Sequence, residues 1–258
     1  MADLWLKLNA IIFGLCIGSF LNVCIYRMPL GQSVASPPSS CPNCNTRIRW
    51  YDNIPVISYL MLKGRCRGCQ APISIRYPMV ELLTGLAALA VVMRFGLTLS
   101  SLIYFFFIAA LLVITFIDID HRIIPDIISI PGIPIGFIAS FFLPDLHWTA
   151  SALGILLGGG LLLCIAWGYR MLTGKDGMGG GDIKLLAMIG AFMGWQGVLF
   201  TIMSASFLGT AVGLALMIRA GKGMKLAIPF GPFLALGAIC YLFFGPAIIN
   251  WYLYGFLR

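Results

Sequence analysis

Two sets of residues in this chain could do chemistry: a pair of short aspartate motifs and four cysteines in two pairs. The motifs are FIDID at 116–120 and GMGGGD at 177–182, each placing an aspartate at the edge of a long apolar run in a chain with only nine acidic residues. An ionised carboxylate costs several kcal/mol or more to hold beside hydrocarbon, so it is rare there without a task. Two carboxylates a few ångströms apart cannot both ionise readily, and they share one proton. The charged member can take a proton from water while the protonated one donates to the carbonyl oxygen of a scissile bond, with no acyl-enzyme. Competing chemistries are poorly supplied. The only histidines are His121 and His147, expected on opposite sides of a membrane, which argues against a Ser-His-Asp triad. The absence of His-Glu-x-x-His removes the usual zinc protease.

Within FIDID, Asp118 and Asp120 are two residues apart, which on a helix turns them about 200° from one another, so they cannot both face one partner. Asp118 lies deeper by roughly 3 Å of helical rise and is the costlier to bury. Asp120 stands beside His121 and Arg122 and reads as a cap or supporting group at a solvated helix end. Asp126, after Pro125 and before an apolar run, is expected to be the N-cap of the next helix. Asp182 sits where a glycine-rich stretch meets a helix. It too could be an N-cap, but Gly179, Gly180 and Gly181 leave room for a peptide backbone alongside. Asp176, beside Lys175, reads as an exposed loop charge.

The cysteine pairs are CPNC at 41–44 and CRGC at 66–69, with 21 residues between them. Four thiolates so spaced can close tetrahedrally around Zn2+, and a polar stretch of about 50 residues has too little core to fold without such a staple. Two disulfides are the plainer alternative, disfavoured in a reducing cytoplasm; a redox pair would need one Cys-x-x-Cys and a βαβ setting that is not visible. Cys16, Cys24, Cys164 and Cys240 lie inside apolar runs and read as packing residues.

These motifs must be positioned by membrane helices. Of 258 residues, 60% are hydrophobic and 10% charged, and the mean hydropathy is +0.97. A soluble domain cannot hide that much apolar surface. About eight spans fit, at 4–26, 79–95, 99–117, 127–143, 149–169, 183–195, 198–218 and 229–251. The sixth is short for a crossing and is expected to be tilted, half-inserted or bent. The first lacks the basic flank and cleavage site of a signal peptide and is kept as a helix. The expected fold is therefore an all-α polytopic membrane protein with a small cytoplasmic zinc-binding insert after the first helix. Its divisions are 1–26, the insert 27–78 and a helical domain 79–258.

The net charge of +8 follows membrane topology and does not point to nucleic acid. Seven of 17 Lys and Arg lie in 27–78 and seven more in three later loops on the same side, while Lys7, Arg94 and Arg258 lie opposite. By the positive-inside rule the insert is cytoplasmic, and both aspartate motifs fall at cytoplasmic helix ends.

In order along the chain, GSFLNVCIYRMP at 18–29, the cysteine pairs, NIPVISYL at 53–60, RYPMVE at 76–81, FIDIDHRIIPD at 116–126, TGKDGMGGGDIKLLAMIGAFMGW at 173–195 and IPFGPFLALG at 228–237 resemble the type IV prepilin peptidases. These are bacterial inner-membrane aspartic proteases of the GxGD class. The resemblance implies removal of the basic leader of prepilins or pseudopilins after a glycine on the cytoplasmic side. It also implies methylation of the new N-terminal residue with S-adenosylmethionine. Its catalytic aspartates map onto Asp118 and Asp182, with Asp120, Gly179, Gly181 and Lys184 as supporting positions, and its zinc ligands onto Cys41, Cys44, Cys66 and Cys69. Gly64 within KGRC is tied by the resemblance to methylation. Glu81 is a candidate substrate or cofactor contact, or else a helix residue paired with Arg76. A transporter or assembly scaffold carrying a zinc knuckle is the alternative, since paired intramembrane acids also relay protons. Pilins, secretion pseudopilins and competence pseudopilins are equally compatible clients.

Overall fold

A computed structural model describes residues 2–174, 179–220, 228–251 and Gly255; Lys175, Asp176, Gly177, Met178, Lys222 and Lys225 lie outside the described residues. Among the described residues the α-helices in chain order are α1 (Ala2–Arg27), α2 (Ile57–Met61), α3 (Arg76–Phe95), α4 (Leu99–His121), α5 (Asp126–Ala139), α6 (Trp148–Thr173), α7 (Gly180–Ala220) and α8 (Gly231–Asn250). Among the described residues no strand forms, only the isolated bridges Ser40–Arg47 and Arg65–Pro72 in the insert.

Six helices, α1, α3, α4, α6, α7 and α8, are long and apolar enough to cross a membrane, and α5 is a shorter apolar helix. The expected spans 183–195 and 198–218 are the two halves of α7. They join at Gly194, whose φ of 70° and ψ of 179° break the helix at a residue suited to positive φ. α5 is shorter than the expected 127–143 and carries Pro131 and Pro134 inside it. Each proline removes a backbone donor, which an apolar helix tolerates where neighbouring protein covers it.

The chain forms two compact units, Met1–Val113 and Ile114–Arg258, divided within α4. In the first, α1 packs along α3. Gly14 and Gly18 make that seam: a Cβ at Gly18 would lie 2.7 Å from Glu81 Cα, and one at Gly14 2.7 Å from Thr84 O. Small residues four apart let membrane helices approach to backbone contact, which is where dispersion and close packing hold helices together in lipid. In the second unit α7 is central and packs on α5, α6 and α8. Gly154 and Gly158 on α6 lie against the backbone of Gly190 and Leu186 on α7 in the same manner. Residues 185–194 are buried without interruption. Most of the short apolar run at 183–195 is thus a buried helix, which is why it carries no polar face.

Candidate active site

α4 delivers Asp118 in its last turns, between the buried Ile117 and the exposed Ile119; Asp118 itself is 5% exposed, while Asp120 faces the other way and is exposed. The helix ends just beyond, with Arg122 at φ 55° and its N–H bonded to Asp118 O at 2.9 Å. Asp118 Oδ2 accepts the backbone N–H of Gly231, the first residue of α8, at 3.0 Å. The positive end of a helix therefore meets a buried carboxyl. Gly231 is required by that approach, since a Cβ there would stand 2.7 Å from Oδ2.

Asp182 lies in the first turn of α7, half-buried, with its N–H 3.3 Å from Gly179 O. Its carboxyl is within electrostatic reach of Asp118. The glycines before it divide into two kinds. Gly181 is pressed against Ile124, where a Cβ would meet Ile124 Cβ at 2.9 Å, while Gly179 and Gly180 face open space. Lys184, one turn's width further on, gives Nζ to both carboxylate oxygens of Asp126 at 2.7 and 2.8 Å. That corrects the expectation for Asp126. The N-cap of α5 is Pro125, with no side-chain cap bond, and Asp126 spends its carboxylate tying the start of α5 to the start of α7.

Sequence reasoning missed Gly231 and Ile124 as neighbours of the pair. For Gly231 a signal was present: Gly-Pro opening an apolar run marks a helix N-terminus with exposed N–H groups.

In the insert the four sulfurs of Cys41, Cys44, Cys66 and Cys69 all lie within 4.8 Å of one another. Cys41 and Cys69 Sγ are 3.8 Å apart, and Cys44 and Cys66 Sγ 4.0 Å. Tetrahedral Zn–S bonds of about 2.3 Å set sulfur–sulfur edges of about 3.8 Å, so one such ion would fit all four thiolates. None of the four is in a disulfide. The two knuckles share one hydrogen-bond pattern. Asn45 N–H donates to Cys41 O and Cys41 N–H to Thr46 O, as Gln70 N–H does to Cys66 O and Cys66 N–H to Ala71 O. Asn45 and Gln70 both turn through positive φ, 56° and 57°. Hydrogen bonds hold three of the thiols below their usual range: Cys44 through Thr46, Cys66 through the Cys69 and Gly68 N–H groups, and Cys69 through the Asn43 amide. Arg67 forks onto Asp52 at 2.7 and 2.9 Å, holding that carboxyl below the ordinary carboxylate range, and lies over the Tyr51 ring.

Gly64 closes the turn after α2 at φ 67°, with its Cα facing the Tyr59 ring. Glu81 is buried in α3 and its carboxylate accepts the Val56 N–H at 2.8 Å.

The description "Bacterial Peptidase A24 N-terminal domain" matches residues 12–95, and "Type IV leader peptidase family" matches residues 105–214. The chain is 37% identical to the prepilin leader peptidase/N-methyltransferase of Aeromonas hydrophila, over 98% of this chain and 96% of that one. It is 37% identical to the protein of that name from Pseudomonas putida, over 96% and 94%. With the one from Pseudomonas aeruginosa it shares 36% identity over 95% and 93%. No solved structure gives a significant match. With both halves matched and relatives aligned from end to end, this multi-pass helical chain belongs to the type IV leader peptidase family.

Proposed function

We propose that this protein is a bifunctional membrane enzyme that cleaves the leader of prepilins or pseudopilins after a glycine and N-methylates the residue so exposed. Its relatives' name supports both activities. The observation that supports the peptidase assignment is the buried Asp118 carboxyl, held by the Gly231 N–H and within electrostatic reach of the half-buried Asp182.

In this reading the carboxyls of Asp118 and Asp182 hold one proton between them. The ionised carboxylate takes a proton as water oxygen bonds to the scissile carbonyl carbon, and the protonated carboxyl gives its proton to the carbonyl oxygen. Collapse of the tetrahedral diol breaks the C–N bond, with one proton passing to the leaving nitrogen. The Gly231 amide keeps the Asp118 oxygen aimed through both steps, and the open sides of Gly179 and Gly180 let the substrate strand lie beside Asp182. Cys41, Cys44, Cys66 and Cys69 would hold a structural zinc that cross-links the two knuckles. S-adenosylmethionine, when bound, supplies the electrophilic methyl group for the new amine. The basic residues of the insert and later loops support a cytoplasmic position for the insert and the aspartate pair at a bacterial inner membrane.

The test is leader removal from a prepilin in membranes carrying wild type, Asp118→Asn or Asp182→Asn. Asparagine keeps size and removes the ionisable proton, so both variants are expected to accumulate normally and leave the precursor uncut, a loss of at least about 10³-fold. Near wild-type cleavage by either one would overturn the assignment and make Asp120 the next candidate.

A further inference from the structure

Glu81 is only 8% exposed and lies in the second turn of α3, away from the aspartate pair in sequence and in unit. Two donors reach its carboxylate, the Val56 N–H at 2.8 Å and the Ser19 hydroxyl of α1. Val56 occupies an unusual turn. Its φ is 61° and its ψ −47°, and the Ile57 N–H donates back across it to Pro55 O at 2.6 Å. That is a γ-turn of the positive-φ kind, rare for any residue and strained for a β-branched one. Strain of this sort persists only where the surroundings over-determine it, and it concentrates where function needs a fixed geometry.

The strained turn launches α2, and α2 leads directly to the second knuckle. Ser58 holds the turn from below, giving its hydroxyl to Tyr51 O at 2.9 Å and accepting the Ile54 N–H at 3.0 Å. Tyr59 covers Gly64 so closely that a Cβ there would meet its Oη at 2.9 Å, and the Gly64 N–H bonds to Tyr59 O at 2.9 Å. Gly64 O in turn accepts the Ile73 N–H at 2.7 Å, spanning the loop that holds Cys66 and Cys69. Short chain segments and the hydrogen bonds between them therefore connect a membrane helix to the loop that holds Cys66 and Cys69, and the first link is a carboxylate. The seam beneath it is rigid, because Gly18 brings α1 to backbone contact with Glu81 itself.

We infer that Glu81 is a positioning residue for methyl transfer: by clamping the Val56 N–H it fixes α2, Gly64 and the second knuckle against the α1–α3 pair. It needs acceptor oxygens for this and not a negative charge. The inference rests on the bifunctional reading above and adds a residue to it.

The experiment uses the full chain in lipid nanodiscs, as wild type, Glu81→Ala, Glu81→Gln and Glu81→Ala with Val56→Gly. Three quantities are read: leader cleavage of a prepilin, methylation of a pre-cleaved pilin peptide by S-adenosylmethionine, and bound zinc per chain. Glu81→Ala is expected to slow methylation by about tenfold or more, the effect of a small misplacement of supporting groups. Its cleavage and zinc should stay at wild-type values. Glu81→Gln, which keeps an acceptor oxygen, should restore most of the methylation, and Val56→Gly, which removes the strain that the clamp opposes, should restore part. Methylation by Glu81→Ala at the wild-type rate overturns the inference. Joint loss of cleavage, zinc and methylation overturns it too, since the residue would then be a general fold determinant. A Glu81→Gln variant as impaired as Glu81→Ala does the same, by making the charge itself the requirement. If wild type cleaves but transfers no methyl group, the methyltransferase reading fails and this inference with it; the wild-type control separates that result from failure of the clamp alone.

Discussion

Asp118 and Asp182 differ in what surrounds them, and the difference was only half readable from residue types. The depth argument selected Asp118 over Asp120, and the structure places Asp118 inside and Asp120 outside, as two residues' rotation on a helix requires. Nothing in FIDID could name the donor on Asp118, because that donor is a backbone N–H from a residue more than a hundred positions away. Backbone donors carry no side-chain signature. Gly231→Ala tests this contact. The added methyl group would stand 2.7 Å from Asp118 Oδ2, so α8 or the carboxyl must shift. Leader cleavage should fall by about a hundredfold in kcat, with KM for the prepilin little changed. Methylation of a pre-cleaved peptide should persist. Asp126 shows the opposite limit: its position after a proline fits a cap, yet Lys184 on a distant helix outcompetes the local backbone for it.

At the scale of elements, the apolar runs located the long helices to within a few residues apart from α7, expected as two spans and found as one helix broken at Gly194, because in lipid the backbone must satisfy itself and length follows from thickness. What they did not give was which runs face lipid and which face protein. A fully apolar surface looks the same in both settings. The glycines hold that information: Gly14 with Gly18 and Gly154 with Gly158 mark the contact seams, a pattern visible in the sequence and overlooked in reading it. The run Gly158, Gly159 and Gly160 offers an internal control. A Cβ at Gly158 would lie 2.5 Å from Leu186 O, whereas one at Gly160 meets nothing within 4 Å. Gly158→Leu should therefore destabilise by about 1–3 kcal/mol or more, and Gly160→Leu should stay within about 0.5 kcal/mol of wild type. Thermal unfolding in detergent micelles of the two variants checks the contrast.

For the molecule as a whole, the proposed function assigns the two activities to different parts of the chain. The cysteine cluster and the Glu81 clamp belong to the first unit, and the aspartate pair to the second. Stripping zinc with a chelator should abolish methylation of a pre-cleaved peptide while sparing most leader cleavage, and zinc added back should restore the lost activity. The four-cysteine cluster was legible because ligand chemistry is local: two Cys-x-x-Cys turns announce themselves, and their sulfurs come together. The surroundings of the two aspartates needed the fold, since the donor on Asp118 comes from the start of α8 and Asp182 stands at the start of α7. That packing has a kinetic side. Residues 185–194, the stretch immediately following Asp182, are buried without a break, so their amides can exchange hydrogen only when the surrounding helices come apart. In the proposed reading Asp182 thus stands at the head of a slowly exchanging stretch, and the adjustment needed to bring a peptide bond beside it falls to the glycines in front of it and to the substrate.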